Sequence, residues 1–513
     1  MPIRPRRLRP LTALAAVLAL VPLTAVAGAP ASADPSPSPS GSDAAAPTTS
    51  AKPLRWRACP KDVPTMAGLR CSTVEVPLDY SRPDGRTIEV AISRLRATSP
   101  GKRRGILLTN SGGPGGTGLG FVTTLAEGGT LNTPLPASVR QRYDIIGVDP
   151  RGVGHSTPVT CDLPDAFGST FAPYAGSRAD VLEHAALSRK VARGCGTSST
   201  KRLLPHITTA NTARDLDRVR AALGEEKASY LGVSYGTYLG AVWATMFPAT
   251  GDRILIDSAV SPGGWDTRFQ RSVAGGFEDR FPDLAAYAAA TPELGLGTTP
   301  AEVRASFDRI VARLDAEPRA DGITSEVFRQ ATFASLYYDE KLPEIAALWT
   351  VLDQGVTIPT DGAANPLEDT ENYRASQLHV ICNDTAWPES TRTYVRHARA
   401  DRERFPMFGG ATGSISPCAF WPSEPREPKV RIRDRGPSNV LQVQNLRDPA
   451  TSLAAARRMR AALGDRARFV TADQGGHLAY LFGDNQCLNG IVTRFLVTGE
   501  RPARDGGCDA ETP

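Results

Sequence analysis

A serine flanked by glycines constrains the fold of this chain more than any other feature. Residues 232–236 read Gly-Val-Ser-Tyr-Gly, directly after a short apolar run and directly before the helical pattern TYLGAVWATMF. Where a strand turns sharply into a helix around a serine, the residues two before and two after it have no room for bulky side chains. Gly232 and Gly236 meet that requirement. The motif therefore predicts a strand–turn–helix unit with the hydroxyl of Ser234 exposed at the turn.

Short apolar runs alternate with helical patterns along most of the chain. The strand candidates are residues 105–109, 144–148, 228–231, 253–256, 439–443 and 468–471. This alternation is typical of an α/β fold, with a mostly parallel central sheet covered by helices on both faces. An amphipathic pattern at 210–223 predicts the helix that leads into the strand before Ser234.

The strand rhythm stops after about residue 260. Helical segments at 301–314 and 327–352 follow among Pro- and Gly-rich connections, which predicts a helical cap inserted after the sixth core strand. The resulting plan has five segments. They are a signal peptide at 1–33, a disordered Pro/Ser-rich linker at 34–53, the first part of the core at 54–260, the cap at 261–436, and a C-terminal core part with a histidine loop at 437–513.

The N-terminus has the pattern of an export signal. Four arginines within the first ten residues precede an apolar run at 11–29 and the small triplet Ala-Ser-Ala at 31–33. A membrane anchor is the alternative, but Pro22 and the cleavage-like triplet favour a signal that is removed. We therefore predict a secreted, extracellular protein with no stable membrane insertion after signal cleavage.

The remaining composition excludes several classes of function. The four signal arginines account for four of the five net positive charges, so the mature chain is close to neutral and has no basic stripe for nucleic acid. The six histidines are scattered, without the close pairing of a metal site. We expect no nucleic-acid partner, no metal and no cofactor, and the oligomeric state stays open.

The chain has eight cysteines, an even number. In an exported protein this predicts disulfides, with buried free thiols as the alternative. The simplest of the possible pairings is sequential and closes four local loops. That pairing is Cys59 with Cys71, Cys161 with Cys195, Cys382 with Cys418, and Cys487 with Cys508.

A serine nucleophile needs a base and an acid, which in this fold follow it in the order acid, histidine. His477 ends the sequence Asp-Gln-Gly-Gly-His after the last predicted strand, whereas His397 lies in an Arg-rich stretch expected at the surface. Asp448 follows the strand at 439–443 and is the predicted acid. Its alternative role is to cap the helix that begins near Pro449, and Asp257 is the reserve acid.

A glycine-rich segment follows the first strand candidate. Residues 110–116 read NSGGPGG, so backbone N–H groups can face a ligand. The N–H of Gly113, together with that of Tyr235, is the predicted oxyanion hole. A flexible surface loop is the alternative, and a phosphate loop would need a following Lys-Ser/Thr that is missing.

Four motifs together resemble a known family. SGGPGG at 111–116, DPRGVGHS at 149–156, GVSYG at 232–236 and DQGGH at 473–477 are similar to the prolyl and tripeptidyl aminopeptidases of the α/β-hydrolase superfamily. The resemblance spans about residues 55–510 and is greatest to the secreted tripeptidyl branch, which has a motif like Gln486-Cys487-Leu488 near its end. Ser111 stands where prolyl aminopeptidases usually carry His, which argues against strict proline specificity.

The resemblance implies a serine exopeptidase that takes peptides with a free N-terminus, with the cap limiting access. Such an enzyme must bind an ammonium group, for which a buried carboxylate is suited. The candidates in the cap are Asp384, Asp339 and Glu340, with Asp384 first because a disulfide at Cys382 would hold it in place. The alternatives are a secreted carboxylesterase or lipase with the same triad, and a noncatalytic binding protein. The length of the released peptide stays open.

Overall fold

The computed structural model describes residues 53–164, 167, 173–317, 319, 322–356 and 371–511. The predicted signal peptide and, apart from Pro53, the predicted linker lie outside these residues. Within these ranges, no helix combines the length and the apolar character needed to cross a membrane.

A sheet of nine strands forms the centre of the described chain, in the spatial order β1-β2-β4-β3-β5-β6-β7-β8-β9. Strand β2 is antiparallel to both β1 and β4, and the strands from β4 to β9 run parallel. The strands are β1 Arg70–Pro77, β2 Thr87–Leu95, β3 Gly105–Asn110, β4 Tyr143–Val148, β5 Ala228–Val233, β6 Gly251–Asp257, β7 Val440–Arg447, β8 Ala467–Gly475 and β9 Gly506–Cys508.

Helices cover both faces of the sheet. Within the described ranges they are α1 Phe121–Glu127, α2 Ala137–Arg140, α3 Arg178–Thr197, α4 Thr209–Ala222, α5 Tyr235–Met246, α6 Thr267–Ala289, α7 Pro300–Ala316, α8 Ser325–Ser335, α9 Leu342–Asp353, α10 Glu371–Asp384, α11 Thr391–Arg404, α12 Gly409–Thr412, α13 Leu453–Leu463 and α14 Gln486–Thr498. Helices α6 to α12 all lie between β6 and β7, where the sequence predicts the cap.

The side-chain alternation of the strands explains the two layers. On β3, Leu107 packs in one buried cluster with residues of α1 and α14, whereas Ile106 and Leu108 pack in the other with residues of α4, α5 and α13. Successive side chains of a strand point to opposite faces, so a strand buried on both faces is apolar throughout. This is why the core strands could be found as short continuous apolar runs.

All eight cysteines form disulfides, in the sequential pairs expected from the sequence. The S–S distances are 2.04 Å for Cys59–Cys71, 1.99 Å for Cys161–Cys195, 1.98 Å for Cys382–Cys418 and 2.03 Å for Cys487–Cys508. The parallel sheet, its helical layers and the strand–turn–helix unit at Ser234 together constitute the predicted α/β-hydrolase fold, which is confirmed.

Candidate active site

Ser234 lies at the turn between β5 and α5, with φ +56° and ψ −124°. Its N–H donates to the carbonyl of Asp257 at 2.9 Å, which ties the turn to the end of β6. A Cβ on Gly232 would lie 2.4 Å from the Gly236 carbonyl oxygen, and one on Gly236 would lie 2.7 Å from Asn110 Oδ1. Neither position therefore has room for a side chain, as the motif predicts.

The glycine-rich segment after β3 packs directly against Ser234. A Cβ on Gly112 would lie 2.9 Å from Ser234 Cβ and 3.5 Å from its Oγ. The N–H of Gly112 is occupied, since it donates to Asn110 Oδ1 at 3.1 Å. Tyr235 is the first residue of α5, a position whose N–H has no acceptor within its own helix. The loop with Gly113 is thus adjacent to the serine, where the sequence predicts the oxyanion hole.

Asp448 and His477 form a buried pair. Nδ1 of His477 lies 3.0 Å from Oδ1 and 2.9 Å from Oδ2 of Asp448, and the side chains are 6% and 0% exposed. Burial alone would raise the pKa of Asp448. The adjacent imidazole and hydrogen bonds from Thr451 outweigh burial and lower that pKa below its ordinary value. The pair has the geometry of an ionised carboxylate that orients an imidazole through Nδ1.

Asp448 also shapes the turn that follows β7. Its Oδ1 accepts the N–H groups of Ala450 and Thr451, both at 2.8 Å, and its Oδ2 accepts the Thr451 hydroxyl at 2.8 Å. Helix α13 begins only at Leu453. The carboxylate therefore organises the turn before the helix and contacts His477 at the same time. It does not cap a helix near Pro449, because the residue that precedes α13 is Ser452.

The loop that follows β8 and carries His477, called the histidine loop here, is hydrogen-bonded to the end of β6. The same strand end is hydrogen-bonded to the Ser234 turn. Asp257 accepts the N–H of Ala479 at 2.9 Å and that of Tyr480 at 2.8 Å. The next residue, Ser258, accepts the N–H of Leu478 at 3.0 Å through its hydroxyl. Asp257 contacts the backbone of the loop, whereas the imidazole of His477 is bound by Asp448. Of the two acids considered, Asp448 is thus the one paired with the imidazole.

Asn445 holds the same loop from the side of β7, a role that the sequence analysis missed. Its Nδ2 donates to the carbonyls of Gly475, Gly476 and Leu478 at 3.2, 2.9 and 3.0 Å. Its Oδ1 accepts the side-chain amide of Gln474 at 2.8 Å. An asparagine in a buried strand, three residues before a candidate acid, is the signal that could have indicated it.

We predict that Asp257→Asn changes how stability depends on pH. Burial raises the pKa of Asp257 to about 6 despite the hydrogen bonds from Tyr480, Ala479 and Ser258 and the nearby His477. The carboxyl of Asp257 therefore binds a proton more tightly in the folded state than in the unfolded state. The stabilisation that results is present below pH 4 and is lost as the pH rises through 6. Between pH 4 and 7 the unfolding free energy of the wild type should fall by about 2–3 kcal/mol relative to the variant.

Denaturant unfolding of both proteins at the two pH values, with disulfides intact, measures this difference. A wild-type minus variant difference that is the same at both pH values would contradict the prediction.

Among the described residues, no hydrogen bond joins Ser234 Oγ to the His477 imidazole. Such bonds are often long in enzymes without substrate and tighten when substrate binds. Asp257 nevertheless connects the serine turn to the histidine loop. Its carbonyl accepts the N–H of Ser234, and its carboxylate accepts the N–H groups of Ala479 and Tyr480.

The three predicted ammonium-binding acids have different surroundings. Asp384 accepts the N–H and hydroxyl of Thr209 at 2.8 and 2.5 Å, so its carboxylate is hydrogen-bonded to the first residue of α4. Asp339 pairs with the buried guanidinium of Arg280, although its own side chain is 65% exposed. Glu340 is exposed, and no described residue forms an ion pair with it.

Two other predictions concern histidines. His397 lies on α11 beside Tyr394 and is half-buried, so its ring is less exposed than the sequence suggests. The one cluster of metal-ligand types in the described ranges is Cys161, Cys195 and His379. The two cysteines are joined as a disulfide, and His379 Nδ1 donates to the Ala375 carbonyl at 2.6 Å, so both sulfurs and this nitrogen already have partners.

Comparison with known proteins gives clear similarities. A family model described as TAP-like protein matches residues 405–508. The chain is 36% identical to the tripeptidyl aminopeptidase of Streptomyces lividans over 471 residues, which cover 88% of this chain and 86% of the relative. It is 30% identical to the serine protease Hip1 of Mycobacterium bovis, with 89% and 91% covered. It is also 29% identical to carboxylesterase B of Mycobacterium tuberculosis, with 88% and 89% covered.

Proposed function

Because the chain belongs to the tripeptidyl aminopeptidase family of α/β-hydrolases and is a serine hydrolase, we propose that it is a secreted exopeptidase with Ser234, Asp448 and His477 as its triad. It releases short peptides, tripeptides foremost, from free N-termini. The observation that carries the proposal is the buried Asp448–His477 pair on a loop fastened to the same strand end as the Ser234 turn.

The proposed reaction proceeds through an acyl-enzyme. His477 takes the proton of Ser234 as Oγ attacks the scissile carbonyl carbon, and Asp448 stabilises the imidazolium that forms. The N–H groups of Gly113 and Tyr235 bind the developing oxyanion. The imidazolium then gives its proton to the leaving amine as the C–N bond breaks. Water, deprotonated by His477, releases the N-terminal peptide and regenerates the serine.

The cap supports an exopeptidase rather than an endopeptidase. Its segment at Tyr337 contacts the histidine loop directly, since the carbonyl of Tyr337 accepts the His477 N–H at 2.7 Å. The start of α10 reaches the glycine-rich loop, where a Cβ on Gly115 would lie 2.6 Å from the Tyr373 carbonyl oxygen. Segments of the cap thus border both the base and the oxyanion side, which limits how a long chain can enter.

Of the three candidate acids, we assign the substrate ammonium to Glu340, because it forms no ion pair with a described residue whereas the other two carboxylates have partners. The carboxylate of Asp384 is occupied by Thr209, and that of Asp339 by Arg280. Glu340 lies three residues from Tyr337, the residue that contacts the histidine loop. An exposed carboxylate contributes little on its own, so Glu340→Gln should lower the specificity constant for a free peptide only a few-fold.

Blocking the substrate N-terminus should lower the specificity constant much more than Glu340→Gln does. Acetylation of a good tripeptide substrate removes the positive charge and adds bulk at the substrate terminus that the cap is proposed to enclose. We expect kcat/KM to fall at least tenfold, a loss of about 1.4 kcal/mol or more in transition-state stabilisation. The measurement compares matched free and acetylated chromogenic tripeptides. Glu340→Gln should lower only the value for the free peptide, and Asp384→Asn should not discriminate between the two.

The same assay includes short esters, because the similarity to a carboxylesterase makes an esterase the second candidate function. Equal cleavage of free and acetylated peptides would overturn the exopeptidase proposal. Rapid cleavage of esters with none of peptides would favour the esterase. Failure of a fluorophosphonate probe to label the protein would leave only a noncatalytic binding protein.

A further inference from the structure

The connection between α8 and α9 touches the candidate catalytic histidine at two points. The carbonyl of Tyr337 accepts the backbone N–H of His477 at 2.7 Å. The Tyr337 ring also packs against the His477 imidazole, with centroids 4.9 Å apart and an angle of 71° between the planes. A cap residue therefore contacts both the backbone and the side chain of the proposed base.

The approach of the two backbones leaves little room. A Cβ on Gly476, which has φ +87°, would lie 2.9 Å from the Tyr337 carbonyl oxygen. Only a residue without a side chain adopts this conformation at this distance without strain. The glycine before His477 thus allows the cap segment to come close enough to bind the loop.

Tyr337 is itself positioned by the aromatic core of the cap. Its ring packs edge to face on Phe333, with centroids 5.4 Å apart. Phe333 in turn stacks on Phe408 at 4.7 Å and on Phe277 at 6.0 Å. These rings come from α8, from the residue before α12 and from α6, so the position of Tyr337 depends on the packing of three cap segments.

Arg280 binds the chain on both sides of Tyr337, through a backbone carbonyl before it and a side chain after it. It is almost fully buried on α6 and donates to the carbonyl of Leu336 at 3.2 Å and to the carboxylate of Asp339. It also pairs with Asp283, which binds Arg447 at the end of β7 at 2.9 Å. A series of ion pairs therefore connects the cap segment to the end of β7, the strand that precedes Asp448.

We propose that Tyr337 is a positioning residue that holds the imidazole of His477 for catalysis. The cap then does more than limit access, because it completes the arrangement of the proposed base. A displacement of about 1 Å in a catalytic group can cost about 100-fold in rate, so loss of the ring should affect turnover rather than substrate binding. This inference rests on the proposed role of His477.

The test compares Tyr337→Leu, which removes the ring, with Tyr337→Phe, which keeps it. Phe307→Leu is the matched control, since Phe307 is a buried cap ring that packs on Phe328 and Trp349. For Tyr337→Leu we expect kcat on a free tripeptide and the rate of fluorophosphonate labelling to fall about 10–100-fold. KM should change less than threefold. Tyr337→Phe should restore at least half of the wild-type rates, and Phe307→Leu should lower thermal stability but leave kcat within twofold.

Three results would overturn the inference. They are wild-type rates in Tyr337→Leu, equal losses in Tyr337→Leu and Tyr337→Phe, and an equal loss of kcat in Phe307→Leu. If Tyr337→Leu fails to fold, Tyr337→Met replaces it with a flexible side chain of similar volume. Labelling that persists in Ser234→Ala would refute the proposed function itself. Labelling that depends on Ser234 but not on the Tyr337 ring would refute only the role of Tyr337.

Discussion

Ser234→Ala is expected to abolish hydrolysis, with a fall in kcat of about 10⁶-fold. The substitution removes one oxygen, the proposed nucleophile, and leaves the tight turn that Gly232 and Gly236 make possible. Within the described residues the hydroxyl of Ser234 makes no hydrogen bond, so the fold should not depend on it. Turnover of a free tripeptide and labelling by a fluorophosphonate probe measure the loss, and the thermal midpoint reports the fold.

Ser229→Ala is the control. Ser229 lies on the same strand, β5, and its hydroxyl donates to Asp252 at 3.1 Å, at the other end of the strand from the turn. Its loss should leave both activities close to wild type. If Ser234→Ala keeps more than about a thousandth of the wild-type turnover, Ser234 is not the nucleophile.

The central strands could be predicted from local sequence, and the outer strands could not. The six runs all correspond to strands β3 to β8. Strands β3 to β6 are buried almost throughout and are therefore rich in apolar residues, and β7 and β8 still carry short apolar stretches. Strands β1 and β2 pair antiparallel and carry charged residues such as Glu75 and Glu89 on exposed positions. Strand β9 is only Gly506–Cys508, too short to produce any pattern.

The site residues could be proposed because each follows a strand, at the edge where an open α/β sheet binds ligands. Ser234 and the histidine loop also have glycine signals that local sequence reveals. The residues that hold them in place are different. Ser258 and Tyr337 act through contacts between distant parts of the chain, which no local pattern contains. For Asn445, the local sequence offers only its position in a buried strand and not the loop that it binds.

The cap shows the same limit. One helical pattern at 327–352 predicts a single segment, but the structure has two helices, α8 and α9, separated by residues that contact His477. The sequence favours Asp384 among the candidate acids because a disulfide at Cys382 would hold it in place. That disulfide is present, yet the carboxylate faces Thr209 at the start of α4. The disulfide at Cys382 therefore restrains the backbone near Asp384 but does not determine the direction of its side chain.

Asp448→Asn is expected to lower kcat by about 10⁴-fold and to change KM little. The carboxylate accepts the Nδ1 proton of His477 at 2.9 Å and so keeps Nε2 free to act as a base. An asparagine can present its NH₂ group to Nδ1, which favours the tautomer with the proton on Nε2. It also removes the charge that stabilises the imidazolium. Steady-state kinetics on a free tripeptide measure the effect, and a thermal midpoint close to wild type shows that the turn at Thr451 is retained.

Asp257→Asn is the matched comparison, because Asp257 is equally buried and ends the neighbouring strand. Its carboxylate binds the backbone of Ala479 and Tyr480 instead of the imidazole. Its loss should loosen the histidine loop without changing the tautomer, and we expect a fall in kcat of at most about 100-fold. If Asp257→Asn loses as much activity as Asp448→Asn or more, the assignment is reversed. The catalytic acid would then be Asp257, and the contact between Asp448 and His477 would be structural.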